Sequence, residues 1–442
     1  MYTSYIGKKF LKLFKEKYNK PEDYSAKQFF DEEMFPIFFD DERHMMHVTN
    51  SPFFQRVSDN QRVLFDSVSE AQFANLKENI KKKEIGGNIY VGYGSSDIAS
   101  TTSGQMTNME MLIDEDEIYA SWIGQALAVG VKGGYANLMD RDELLFKIYE
   151  GWKHYKKFLS QTPDVKDKQI ETWNGEWLKL RFNANDDEIN YNNIETGISV
   201  GKLAIQTIQW PELIFLLAGK YKNTVITSYV YLLSQTNETL GYINIYLDQI
   251  QKIFDVRDKV FIDSRNNILK DHEIQKLIPF FSFKEAAKMG TIGLKSIEPK
   301  GLRAYLPKGT YNYSQGQDFK FKENIQNQLF IIKLWITAML NKTELLELSR
   351  ELAGLLIENQ KETNKTKRAT TISQVFVKEM LDSRSVKGFI EKLAELNENL
   401  MERGETLRKI VEQVLVMPRD NFPLFIALIK FEYSFLKNQS EN

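Results

Sequence analysis

Apolar residues recur at helical spacing over much of this chain and give way to runs of β-branched and aromatic residues in its middle part. Ile6, Phe10, Leu13 and Phe14 share one helical face, with Lys8, Lys9, Lys12 and Lys15 over much of the rest, which predicts a basic amphipathic helix. SAKQFFDEEMF predicts a helix capped by Ser25, and NQRVLFDSVSEAQFANLKENIKKK another that ends in Lys81, Lys82 and Lys83. DEDEIYASWIGQALAVGVKGGY puts acidic residues at a helix start, and DRDELLFKIYEGWKHYKKFLSQTP predicts a helix stopped by Pro163.

From Lys168 to about Lys322 the pattern mixes β-type runs such as KLAIQTIQW with helices such as TVITSYVYLLSQ and HEIQKLIPFF. Turns punctuate it in FNANDDEINYNN and PKGTYNYSQGQ. After residue 323 Pro and Gly almost vanish, and heptad-like apolar spacing runs from IQNQLFIIKLWITAML to FPLFIALIKFEYSFL. Five or six helices are expected there, with a capping box at Asn341-Lys-Thr-Glu344 and a polar linker, KETNKTKRAT, at 361–370. The predicted fold class is α+β: a mixed part over 1–322 and a helical bundle over 323–442.

Composition narrows the function classes. At 442 residues and 42% hydrophobic content the chain can bury more than one core. Its 58 Lys and Arg against 60 Asp and Glu leave a formal charge of -2, so any nucleic-acid contact must be local. Cysteine is absent, which removes disulfides, thiolate metal sites and a cysteine nucleophile. The lysine-rich start lacks the apolar core of a signal peptide, and LFIIKLWITAML is broken by Lys333 and too short to span a bilayer. These features predict a cytoplasmic protein with no membrane partner.

Residues 88–108, NIYVGYGSSDIASTTSGQMTN, form the most polar glycine-rich stretch. No Walker A lysine follows its glycines, and Gly92-Tyr-Gly94 is not completed to a dinucleotide fingerprint because position 97 is Asp. The stretch suits a nucleic acid better. Gly92, Gly94 and Gly104 let backbone approach a phosphate or groove, Ser95, Thr101 and Thr102 supply hydroxyls, and Gln105 and Asn108 can read base edges. Lys81, Lys82 and Lys83 precede it, and Lys153, Lys156 and Lys157 stand among the aromatics Trp152, Tyr155 and Phe158. Asn174-Gly175, between Trp173 and Trp177, reads as a tight turn that could wedge into a groove or could sit in a hairpin with its tryptophans in the core. Two weaker enzyme readings remain. His44 and His47 at i and i+3 of a helix could ligate a metal, and Glu298-Pro-Lys300 is a sparse match to a nuclease metal site.

TTSGQMTNMEM, YASWIGQALAVGVKGG, QIETWNGEW and YLLSQTNETLGY resemble segments of large subunits of type I CRISPR Cascade complexes, of the subtype B kind. The layout is similar too, since in that family an α+β part precedes a bundle resembling a fused small subunit. Some relatives carry paired CxxC motifs that this cysteine-free chain lacks. The resemblance implies a non-catalytic subunit without a cofactor. Its partners would be a guide RNA, target double-stranded DNA, other Cascade subunits and a helicase-nuclease, in antiviral defence. Such a subunit reads the protospacer-adjacent motif and aids strand opening, while guide pairing reads the sequence. A metal-dependent nuclease and a structural RNA-binding protein of another ribonucleoprotein stay open as alternatives.

Overall fold

The computed structural model describes residues 2–48, 51–82, 89, 91, 114–183, 189–232, 239–261, 282–363, 367–400 and 404–441. The fold is α+β, helices predominating around a small mixed sheet. Packing divides the chain into two compact units, Met1–Leu247 with Phe283–Ile292, and Asp248–Ser282 with Gly293–Asn442. The chain passes between the units at 247/248, 282/283 and 292/293. The physical reason is a returning segment: Thr291–Ile292 adds a strand to the sheet of the first unit, while residues from Gly293 onward pack with the helices.

In the first unit the helix Tyr2–Lys17 buries Ile6, Phe10 and Phe14 as its spacing predicts, and packs along the helix Glu115–Ala126. Glycine closes this crossing from both sides. A Cβ on Gly7 would fall on the carbonyl of Ala120, and one on Gly124 on the carbonyl of Thr3. Lys8 pairs with Glu117, and Lys9 with Asp140 and, at 2.7 Å, Asp142, so part of the basic face is engaged within the unit.

The main sheet runs β1 (Val129–Val131), β2 (Tyr135–Met139), β5 (Val225–Leu232), β6 (Thr239–Tyr246), β7 (Thr291–Ile292), antiparallel except for β6 with β7. β3 (Thr196–Ser199) and β4 (Lys202–Ile205) form a separate ribbon turned by Val200 and Gly201, both at positive φ. Such a two-residue turn matches the twist of its strands. Segment 224–235, expected as a helix, supplies β5 instead. There Ile226, Ser228 and Val230 are buried and alternate with Thr227 and Tyr229, a period of two that its β-branched and aromatic residues favour.

Other expectations shift locally. The helix over 60–83 is two helices, Asp59–Leu64 and Val68–Lys81, because Ser67 turns out of the first and caps the second by accepting the Glu70 N–H at 3.1 Å. Ser25 does cap its helix, in a capping box with Gln28. Asn341 ends the helix Gln326–Leu340 in a left-handed conformation rather than opening the next one. Residues 272–281 lie outside the described residues.

Over the span where five or six helices were expected, the second unit holds Gln326–Leu340, Glu344–Thr363, Lys367–Leu381, Val386–Asn399, Gly404–Leu415 and Phe422–Glu441. Two of them run into the expected linker at 361–370. Lys333 is buried and meets the equally buried Glu432 at 2.7 Å, with Arg350 3.8 Å from the same carboxylate. Lys430, also buried, bonds the Gly316 carbonyl at 2.8 Å and Asp382 at 3.1 Å. Among the described residues no helix is long and apolar enough to cross a membrane.

Candidate nucleic-acid interface

The helix Asp142–Gln161 buries Leu144, Leu145, Ile148, Trp152, Tyr155 and Leu159 on one side, which turns Lys153 and Lys157, one helical turn apart, toward solvent. Neither has a carboxylate partner among the described residues. Lys156 differs: it is half-buried and ion-paired with Asp40.

Beside it lies the helix Ile170–Asn183, where a tight turn was expected at Asn174-Gly175. The tryptophans explain the outcome. Trp173 Nε1 donates to the Gly151 carbonyl at 2.9 Å, and Trp177 Nε1 to the Lys147 carbonyl at 2.6 Å, so both rings anchor one helix on the other. A Cβ at Gly151 would stand 2.6 Å from Trp177 Cδ1, so glycine there makes room for the indole. Asn174 and Gly175 consequently face inward. Asn174 is fully buried and its Nδ2 donates to the carbonyls of Ala126 and Ala128 at 2.9 and 2.8 Å, while Gly175 abuts Ile208. In this structure neither is a wedge presented to a groove.

At the solvent side of the two helices, cations and rings converge. The His154 imidazole stacks on Trp177 with centroids 4.7 Å apart and planes 20° apart, and its Nδ1 lies 2.7 Å from Tyr191 Oη. The Arg181 guanidinium sits 5.9 Å from the Trp177 ring centroid, and Lys157 Nζ 5.8 Å from that of Tyr191. Arg181 too has no carboxylate partner among the described residues. Burial, followed by the positive charges of Lys157 and Arg181, lowers the His154 pKa below its usual value. Lys157 and Arg181 thus bring positive charge to the rings of Tyr191 and Trp177 beside His154, with Lys153 exposed on the same helix and Glu150 the nearby anion.

His154, Arg181 and Tyr191 were not singled out in the sequence. The signal available was the i to i+4 step from Trp177 to Arg181, which exists only if the segment is read as a helix. Of the other expected residues, Lys81 is exposed at the end of its helix and Lys82 pairs with Glu78 at 3.0 Å. Lys83, Gly92, Gly94, Ser95, Thr101, Thr102, Gly104, Gln105 and Asn108 lie outside the described residues.

The two enzyme readings fare differently from the patch. His44 and His47 are not on a helix; the segment is irregular, and His44 packs among Phe39, Phe53 and Phe54. Burial, and next the nearby Lys168 charge, lower His44 to about 4, so its imidazole is neutral at pH 7. Among the described residues no three His, Asp or Glu gather as a metal site. Glu298 is buried and grips Arg303 through two hydrogen bonds of 2.6 Å, so a guanidinium occupies the carboxylate that a nuclease metal would need. No family model, curated protein or solved structure matches this chain.

Proposed function

We propose that this chain is a non-catalytic nucleic-acid-binding subunit of an RNA-guided DNA surveillance complex, of the kind its sequence segments resemble. The observation that carries the nucleic-acid part is the patch of Lys157 and Arg181 at the rings of Tyr191 and Trp177 beside His154, with Lys153 exposed on the same helix. Cations without carboxylate partners attract phosphates and release counterions, and rings among them offer stacking or cation–π surface to bases. The finer reading rests on the resemblance. The guide RNA, the other Cascade subunits, the helicase-nuclease and the reading of a protospacer-adjacent motif come from it, with residues 88–108 as the motif-facing candidate.

The test is equilibrium binding of labelled duplex and single-stranded oligonucleotides across a salt series. Lys153→Glu with Lys157→Glu should weaken binding to all sequences alike and reduce the salt slope by roughly 0.9 per lost duplex phosphate contact. An unchanged slope refutes the patch. Co-purification with a guide RNA and repeated backbone subunits tests the assembly separately, and its failure with the patch intact points to another ribonucleoprotein.

A further inference from the structure

Away from the cationic patch, four tyrosines and a carboxylate line an open cavity of about 620 Å³ in the first unit. Tyr2 and Tyr5 come from the helix Tyr2–Lys17, Asp140 follows β2, Thr227 and Tyr229 come from β5 and Tyr242 from β6. Tyr229 and Tyr242 are direct cross-strand partners. The rings touch one another. Tyr2 lies 5.6 Å from Tyr5, 5.1 Å from Tyr229 and 5.1 Å from Tyr242, centroid to centroid, and Tyr229 lies 5.2 Å from Tyr242.

Two properties define what can bind there. The carboxylate at the cavity can take a further donor. Tyr2 is only 8% exposed and contributes its ring, since its Oη is buried. Tyr5 donates its hydroxyl to Asp140 Oδ2 at 3.0 Å, which fixes the carboxylate at the cavity and leaves it further lone pairs. The charge is negative. Lys9 faces both Asp140 and Asp142, and two carboxylates against one ammonium leave one formal negative charge, to which the tyrosine faces add their negative quadrupoles.

An anionic nucleotide is repelled by that charge. A base also has no slot between rings at these separations, because insertion needs roughly 7 Å, two stacking distances. A planar cation bearing N–H donors suits the cavity: it lies on a tyrosine face and donates to Asp140. We propose that this cavity binds a guanidinium group, either of a free small molecule or of an arginine side chain presented by a partner protein.

The experiment is isothermal titration of the full chain with L-argininamide, with the blocked peptide acetyl-Gly-Arg-Gly-amide, with tetramethylammonium and with adenosine monophosphate. Saturable binding of an arginine probe is expected, at least ten-fold tighter than tetramethylammonium, which has no N–H to donate. Tyr242→Ala removes a ring that is 63% exposed and so does not threaten the core. It should weaken the arginine probe ten-fold or more while oligonucleotide binding at the lysine patch stays the same, and Asp140→Asn should weaken the probe as well. Equal affinity for the amide and the peptide assigns a partner's side chain; a ten-fold preference for the amide assigns a small molecule. Absence of saturable binding by both arginine probes, an unchanged affinity in Tyr242→Ala, or adenosine monophosphate binding the cavity more tightly overturns the proposal.

Discussion

Replacing Glu176 with glutamine should stabilise the protein at pH 8 and leave its stability nearly unchanged at pH 4. Glu176 lies on the helix Ile170–Asn183, is 2% exposed, and has Lys179, Glu195 and Glu212 around it. Burial, only partly offset by Lys179, pushes its carboxyl up from 4.5 to about 7. Between those values the folded protein holds a proton that the unfolded chain has released, so stability must fall as pH rises through the window. It is fully present below pH 4.5 and lost above 7. At about 1.4 kcal/mol per pH unit the gap amounts to roughly 3 kcal/mol. Glutamine keeps the shape and the acceptor oxygen without the charge. Urea unfolding followed by tryptophan fluorescence reports on the right place, since Trp173 and Trp177 flank the site. The advantage of Glu176→Gln over the natural protein should grow from near zero at pH 4 to about 3 kcal/mol at pH 8. A difference that stays constant across pH 4 to 8 refutes the burial argument.

Gly124→Ala would drive a methyl into the Thr3 carbonyl, and overpacking against backbone should cost about 3 kcal/mol, read as a lowered midpoint in thermal unfolding. Asn174→Ala strands the carbonyls of Ala126 and Ala128 in the core and should cost about 1–3 kcal/mol in urea unfolding, while oligonucleotide affinity per folded molecule stays the same. Lys333→Met leaves the Glu432 carboxylate buried with only the more distant Arg350 and should cost about 3–5 kcal/mol, most of it recovered in Lys333→Met with Glu432→Leu. Since Lys157 and Arg181 help to lower the His154 pKa, a phosphate bound between them should raise it. Oligonucleotide affinity should then climb as pH falls from 8 to 6, and His154→Gln should flatten that climb.

The helical bundle was legible because its apolar spacing is sustained, with few glycines or prolines to interrupt it, and the helices Val386–Asn399 and Gly404–Leu415 bury the face that spacing marks. The middle of the chain was not. Residues 225–232 are apolar enough for either element, and only pairing with β2 and β6 settles them as a strand. Trp173-Asn174-Gly175 carries a strong local turn signal that tertiary contacts override. Two indole hydrogen bonds and two amide hydrogen bonds to buried carbonyls reward the helix, and none of their partners is close in sequence. That single misreading hid the cluster around His154, because Trp177 and Arg181 share a face only once the segment is helical.

Charge behaved in the same way. A formal charge of -2 suggests a molecule with little to offer a polyanion, yet charges act through what remains after pairing. Lys8, Lys9, Lys156, Lys179, Lys333 and Lys430 are all met by carboxylates, so their count says nothing about ligands. Among the described residues no carboxylate meets Lys153, Lys157 or Arg181, while Asp140 and Asp142 outnumber Lys9 at the tyrosine cavity. Among the described residues of one unit the surplus is positive where a histidine stacks on a tryptophan and negative at the tyrosine cavity. Two surfaces of opposite sign call for ligands of opposite charge, which is why a phosphate backbone and a guanidinium are assigned to different places. It also fixes how the two assignments separate in the laboratory. Added salt should weaken oligonucleotide binding steeply, because many phosphates release counterions at once, and should weaken a single buried-edge guanidinium contact far less. If both bindings fall with salt along the same slope, the two ligands share one surface and the assignment of separate sites fails.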